Sequence, residues 1–103
     1  MSTDRPDPPA AYLLRLFIAG TAPRSRRTIE IVRRFCETHL AGRHQLEVVD
    51  IFQQPALAER DGILAAPTLL KLSPRPEQRL TGILDEQRLM REIELIPAVE
   101  QYP

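Results

Sequence analysis

The sequence predicts a single α/β domain in the order strand, helix, strand, short helix, two strands, helix. Three observations carry that prediction. The run Tyr12-Leu13-Leu14-Arg15-Leu16-Phe17-Ile18-Ala19 is almost continuously apolar, as in a strand covered on both faces. An amphipathic helix and a second apolar strand, Leu46-Glu47-Val48-Val49-Asp50-Ile51, follow it and complete a βαβ unit with parallel strands. A proline-led strand, Ala66-Pro67-Thr68-Leu69-Leu70-Lys71-Leu72, then turns back on a short partner. At 103 residues the chain has the length of one domain and needs no metal or disulfide to hold its core.

Residues 1–11 read as a disordered arm, because Pro6, Pro8 and Pro9 remove backbone donors and favour extended chain. Gly20-Thr21-Ala22-Pro23 breaks the first strand, and Thr21 or Ser25 is the expected helix cap. Ile29, Val32, Phe35 or Cys36, and Leu40 form the apolar stripe of the helix. The opposite face carries Arg26–Glu30 and Arg33–Glu37 at i,i+4 spacing, and Gly42 is the stop signal.

Pro55–Arg60 reads as a short helix with proline in its first turn. The turn Ser73-Pro74-Arg75-Pro76-Glu77 leads into the short strand Gln78–Thr81, which closes at Gly82. Asp85 is the cap of the last helix, with Leu84 and Leu89 spaced as a hydrophobic staple. Leu89, Ile93 and Ile96 form its buried stripe and Pro97 ends it. The domain therefore spans 12–97, with 98–103 as a tail. This is the element order of a thioredoxin-like fold, in which the proline opening the third strand is cis; Pro67 holds that position.

Composition narrows the function classes. Fourteen Lys and Arg balance fourteen Asp and Glu, so no global field favours nucleic acid or anionic membrane. Neither a signal peptide nor an apolar run of membrane-spanning length is present, so a cytoplasmic protein is expected. Cys36 is the single cysteine, which rules out an intrachain disulfide and a cysteine-based zinc cage.

In a thioredoxin-like redox protein the nucleophilic thiol sits where the first strand meets the first helix, because the helix N-terminus stabilises a thiolate. Gly20-Thr21-Ala22-Pro23-Arg24-Ser25 holds no cysteine there. A hydroxyl cannot cycle to a disulfide. Cys36 lies mid-helix and reads as a small buried hydrophobe. His39 and His44 flank a helix end, where a cation suits the dipole, and no third metal ligand is spaced with them. No metal or cofactor is expected. Asp50 reads as a strand-end residue. The cluster Arg24, Arg26, Arg27, Arg33 and Arg34 is either a solvated helix face or a contact for an acidic partner or phosphate.

Taken together, these segments resemble the KaiB family of cyanobacterial-type circadian clock proteins. The resemblance lies in Tyr12–Gly20, in Pro23-Arg24-Ser25, in Val48-Val49-Asp50-Ile51, in Pro55-Ala56-Leu57-Ala58-Glu59 and in Ile63-Leu64-Ala65-Ala66-Pro67-Thr68-Leu69. It implies a non-catalytic regulatory protein that binds a KaiC-type ring ATPase in a timing or stress-signalling system. A KaiA-like protein or a histidine kinase is the implied second regulator. The family resembled is also metamorphic, with a dimeric or tetrameric ground-state fold that rearranges the chain from about Ala56 onward.

On this resemblance Arg27, Asp50, Leu57, Ile63, Ala65, Pro67 and Lys71 are the expected partner-binding residues. Two departures stand out. Ile93-Glu94-Leu95 replaces a Gly-Leu-Asp step, and since Gly and Asp are poorer helix formers, Ile93 and Leu95 are expected to favour the last helix and the thioredoxin-like state. Glu47 stands where clock members tend to carry Lys. The competing reading is an enzyme, thioredoxin-like or glutathione-binding, that uses Ser25 or Thr21. A third is a signalling module that pairs an edge strand with its partner.

Overall fold

The computed structural model describes residues 11–95. The arm at 1–10, Ile96, Pro97 and the tail at 98–103 lie outside the described residues. The elements are β1 (Tyr12–Ile18), α1 (Pro23–His39), β2 (His44–Asp50), α2 (Pro55–Arg60), β3 (Thr68–Ser73), β4 (Gln78–Thr81) and α3 (Glu86–Glu92). The sheet order is β2-β1-β3-β4. β1 and β2 are parallel, as a helical crossover requires, while β3 runs antiparallel to both β1 and β4.

The sheet separates two cores. On one face Leu14, Leu16 and Ile18 of β1 pack with Leu69, Leu80 and the buried sides of α1 and α3. On the other, Phe17, Val49 and Leu70 meet only the short α2 through Ala58, with Leu57 and Ile63 beside them. Burial along β1 follows from this cover. Leu16, Phe17 and Ile18 are all buried, so this part of the strand is covered on both faces, whereas Leu13 and Arg15, on the more thinly covered face, are only partly covered.

Three local expectations need correction. Helix α1 is capped by neither Thr21 nor Ser25. Its cap is Ala22, with no side-chain bond, because Pro23 at the first helical position fixes the preceding residue as extended and has no N–H to satisfy. The i,i+4 pairs on its outer face do not form among the described residues; the Arg26 guanidinium instead donates to the Thr21 carbonyl at 2.7 Å. Thr28 joins the buried side of α1, its hydroxyl donating back to the Arg24 carbonyl at 3.1 Å.

The third correction concerns the last helix. Asp85 caps α3 as expected, accepting from the Arg88 N–H at 2.8 Å, and Leu84 and Leu89 are both buried in the larger core. The helix nevertheless stops at Glu92. Ile93 is its C-cap with ψ 122°, so Ile93 and Leu95 are not helical and their helix propensity has no bearing on the fold. Ile93 acts through burial instead, 3% exposed against α1, while Leu95 is 37% exposed. Tyr12 donates its hydroxyl to the Glu94 carbonyl and holds this end of the chain to the start of β1.

Candidate docking site

Because β1, β2 and β4 end where β3 begins, four connections gather at one end of the sheet: 19–22, 51–54, 61–67 and 82–85. Asp50 braces two of them. Its carboxylate accepts from the Gly20 N–H at 3.1 Å and from the Phe52 N–H at 2.9 Å, and its carbonyl receives Gln53 and Gln54. Glycine at position 20 is favoured by its backbone rather than by lack of space. Its φ of +78° is the left-handed region, while an added Cβ would meet the Phe52 ring at an ordinary contact distance of 3.4 Å.

The Ala66-Pro67 peptide is cis, as are Ser73-Pro74 and Arg75-Pro76. Pro67 lies at the centre of two adjoining grooves. One, of about 430 Å³, runs along Ala19, Pro23, Ser25 and Thr28. The other, of about 640 Å³, is bounded by Arg24, Arg27, Ile31, Ile83 and Asp85. Arg24, Thr28, Ala66 and Pro67 line both.

Around this end the sheet carries large apolar side chains that solvent reaches freely: Leu64 at 98%, Ile83 at 82% and Phe52 at 72% exposure. Three large apolar residues are thus exposed in the connections at one end of a small domain. The polar groups nearby offer little chemistry. Ser25 Oγ donates to the Ala19 carbonyl at 3.2 Å and faces no general base among its partners. Cys36 is fully buried in the larger core, and burial first, then the Glu37 carboxylate, push its thiol up to about 11. It is not a poised nucleophile.

The expected partner-binding residues divide three ways. Arg27, Ala65 and Pro67 reach the surface at this end, and Arg27 and Pro67 share a groove. Leu57 and Ile63 are partly covered and pack on the smaller core. Lys71 must be withdrawn from any surface of this fold. It is 0% exposed, and its Nζ donates to the Pro74 carbonyl and, at 2.8 Å, to the Pro76 carbonyl, so it holds the proline turn against the sheet. Asp50, half-buried, is likewise spent on the turns it braces.

An electrostatic clamp that sequence reasoning missed fixes the loop bearing Leu64. Arg15 Nη1 donates to Asp61 Oδ2 at 2.8 Å and its Nε donates to Glu47 Oε1 at 2.8 Å. Arg79, across the sheet on β4, donates to the carbonyls of Asp61 at 2.9 Å and Gly62 at 3.2 Å. Burial alone would raise the Asp61 carboxyl, but the bonds from Arg15 and then Arg60 hold it below the usual carboxylate range. Glu47, half-exposed, is thus part of this clamp as well as of the surface.

His44 Nδ1 bonds with the Leu40 carbonyl at 2.9 Å, and His39 stacks near Phe35 with its Nε2 3.8 Å from Glu86. Both serve the end of α1. Among the described residues no cluster of three or more His, Cys, Asp or Glu could hold a metal ion, and no helix is long and apolar enough to cross a membrane.

With this geometry in view, comparison with known proteins is specific. A thioredoxin from Fasciola hepatica, 20% identical, superposes with a TM-score of 0.66 over 82% of this chain and 80% of its own, which speaks to the fold alone. The N-terminal domain of SasA from Synechococcus elongatus superposes with a TM-score of 0.71 at 26% identity, over 90% of this chain and 89% of that one. The circadian clock oscillator protein KaiB of Synechococcus sp. (strain RCC307) is 41% identical over 90 residues, covering 86% of this chain and 82% of the relative. The KaiB domain model matches residues 15–95, and this chain belongs to the KaiB family.

Proposed function

We propose that this protein is a non-catalytic regulator of a circadian or related timing system, which docks on a KaiC-type ring ATPase through the end of its sheet around Pro67. Family membership over most of the chain supports the regulatory role, and the likeness to the SasA N-terminal domain supports clock proteins as partners. The observation that carries the reading is the sheet end itself. Where a redox relative needs a thiolate, this chain has Gly20-Thr21-Ala22-Pro23, and around it Phe52, Leu64 and Ile83 are bare to solvent. A surface of exposed apolar groups without a nucleophile binds rather than reacts.

Arg27, Ala65 and Pro67 are the residues placed to meet the partner, with Leu57 and Ile63 supporting them from behind. Pull-down from the native cell with and without ATP, followed by sizing of the complex, tests the reading. An ATP-dependent complex of about one copy per ATPase subunit is expected. A chain that captures no KaiC-type ATPase under either condition removes the function and leaves the fold. A KaiA-like protein or a histidine kinase in the same eluate would identify the second regulator.

A further inference from the structure

We propose that the paired grooves beside Pro67 take an extended peptide segment of the partner that carries an apolar side chain between carboxylates. The inference deepens the docking reading above and rests on it for the identity of the partner.

Three observations define the occupant. First, Arg24 and Arg27 stand on the groove rim, exposed, and neither guanidinium makes an ion pair or hydrogen bond among the described residues. The groove's own carboxylate, Asp85, is already occupied as the cap of α3 through the Arg88 N–H. Two cations without partners beside a committed acid favour an anionic visitor, and a guanidinium grips a carboxylate with two parallel bonds.

Second, the wall opposite α1 is apolar. Ile83 projects to solvent at 82% exposure between Gly82 and buried Leu84, and Ile31 faces the groove from α1. A methyl-bearing side chain laid against Ile83, Ile31 and Pro67 would remove apolar surface from water on both partners. A bare anion gains nothing from that wall.

Third, Ala66 lines both lobes, and neither its N–H nor its carbonyl enters a hydrogen bond among the described residues. An extended chain can bond to such backbone groups as one strand bonds to another, which gives the segment its direction. An acidic, apolar and extended peptide meets all three requirements.

The test titrates the full ¹⁵N-labelled chain with three probes: the peptide acetyl-Asp-Leu-Glu-Leu-Asp-amide, the same peptide with lysine at each acidic position, and inorganic phosphate. Amide shifts confined to 24–28, Ala66 and 82–85, produced by the acidic peptide alone, are expected. Arg24→Ala with Arg27→Ala should weaken its Kd about fivefold, the reach of two exposed charge contacts. Ile83→Asp should abolish the shifts; all three side chains are exposed, so these variants keep the wild-type spectrum elsewhere. Equal binding of the lysine peptide, the same shifts from phosphate, shifts mapping to another face, or no shifts with the acidic peptide overturns the proposal. Binding of the variants and wild type to the ring ATPase separates the two readings. A ring that holds all of them equally overturns the groove and leaves the docking function. A ring that ignores the wild type, while the acidic peptide binds at the groove, removes the function and leaves the groove.

Discussion

The two faces of the sheet are held together by different physics. The face under α1 and α3 is a continuous apolar core from Tyr12 to Ile93, in which Leu16, Val32, Cys36 and Leu89 have no exposed surface. The face under α2 has one short helix, a small apolar cluster around Phe17 and Leu70, and then charges: Arg15, Glu47, Asp61 and Arg79. Apolar burial is non-directional and large, whereas ion pairs near the surface contribute little energy but fix geometry. The contrast assigns stability to the first face and the positioning of the loop bearing Leu64 to the second.

The largest expected effect breaks the first face. Leu89→Ala removes a side chain with no exposed surface from between α3 and the sheet, and should cost about 3 kcal/mol in urea unfolding. Ile93 sharpens the point. Outside the helix yet 3% exposed, it should lose about 2 kcal/mol on replacement by Ala, whereas Leu95→Ala, at 37% exposed, should cost under about 1 kcal/mol. Equal losses at the two positions would restore a propensity argument that the helix end at Glu92 contradicts.

The second face is expected to respond in geometry more than in energy. Asp61→Asn should cost about 1 kcal/mol, because its partners are partly solvated. The amides of 61–66 should nevertheless exchange markedly faster than in the wild type, while those of β1 and β3 stay protected. The pH dependence has a definite direction. The Asp61 carboxyl lies below its ordinary value of 3.8 in the fold, so its stabilisation is complete above that value and is lost as pH falls through the folded one. Wild-type stability should fall more steeply than that of Asp61→Asn below pH 3.8; parallel curves would show that the clamp carries no net energy.

The same division governs what could be read from the residues. The cis bond at Pro67 followed from the element order of the whole fold; local signals sufficed for α2 and β4, whose bounds match expectation, and for the Asp85 cap. Each of the latter depends on chemistry within a few positions. The clamp does not, since Arg15 of β1 and Asp61 at the end of α2 stand 46 residues apart and meet only once α2 packs on the sheet. Lys71 was half legible. Its alternation with Leu69 assigns it to the larger core's face, but the two carbonyls that accept its ammonium belong to a proline turn that no periodicity predicts. At the sheet end proposed for docking, Arg27, Ala65 and Pro67 are expectations that the family resemblance carries. Ile83 escapes it, because one apolar residue in a loop has no period to announce it, and Asp50 was legible as a strand end but not as the brace of two turns.

The smallest change tests how closed the first face is. Cys36 has no exposed surface and a thiol pushed up to about 11, so at pH 8 it is almost wholly protonated and out of contact with solvent. A disulfide reagent such as DTNB should therefore modify the native chain only as fast as the larger core opens, and urea should accelerate the reaction in step with global unfolding. Asp61→Asn, which loosens the opposite face, should leave that rate within about a factor of five, the effect of roughly 1 kcal/mol on the open population. Rapid labelling in the absence of urea would mean that α1 lifts from the sheet on its own. The stable face would then be the mobile one, and the comparison between the two faces would have to be reversed.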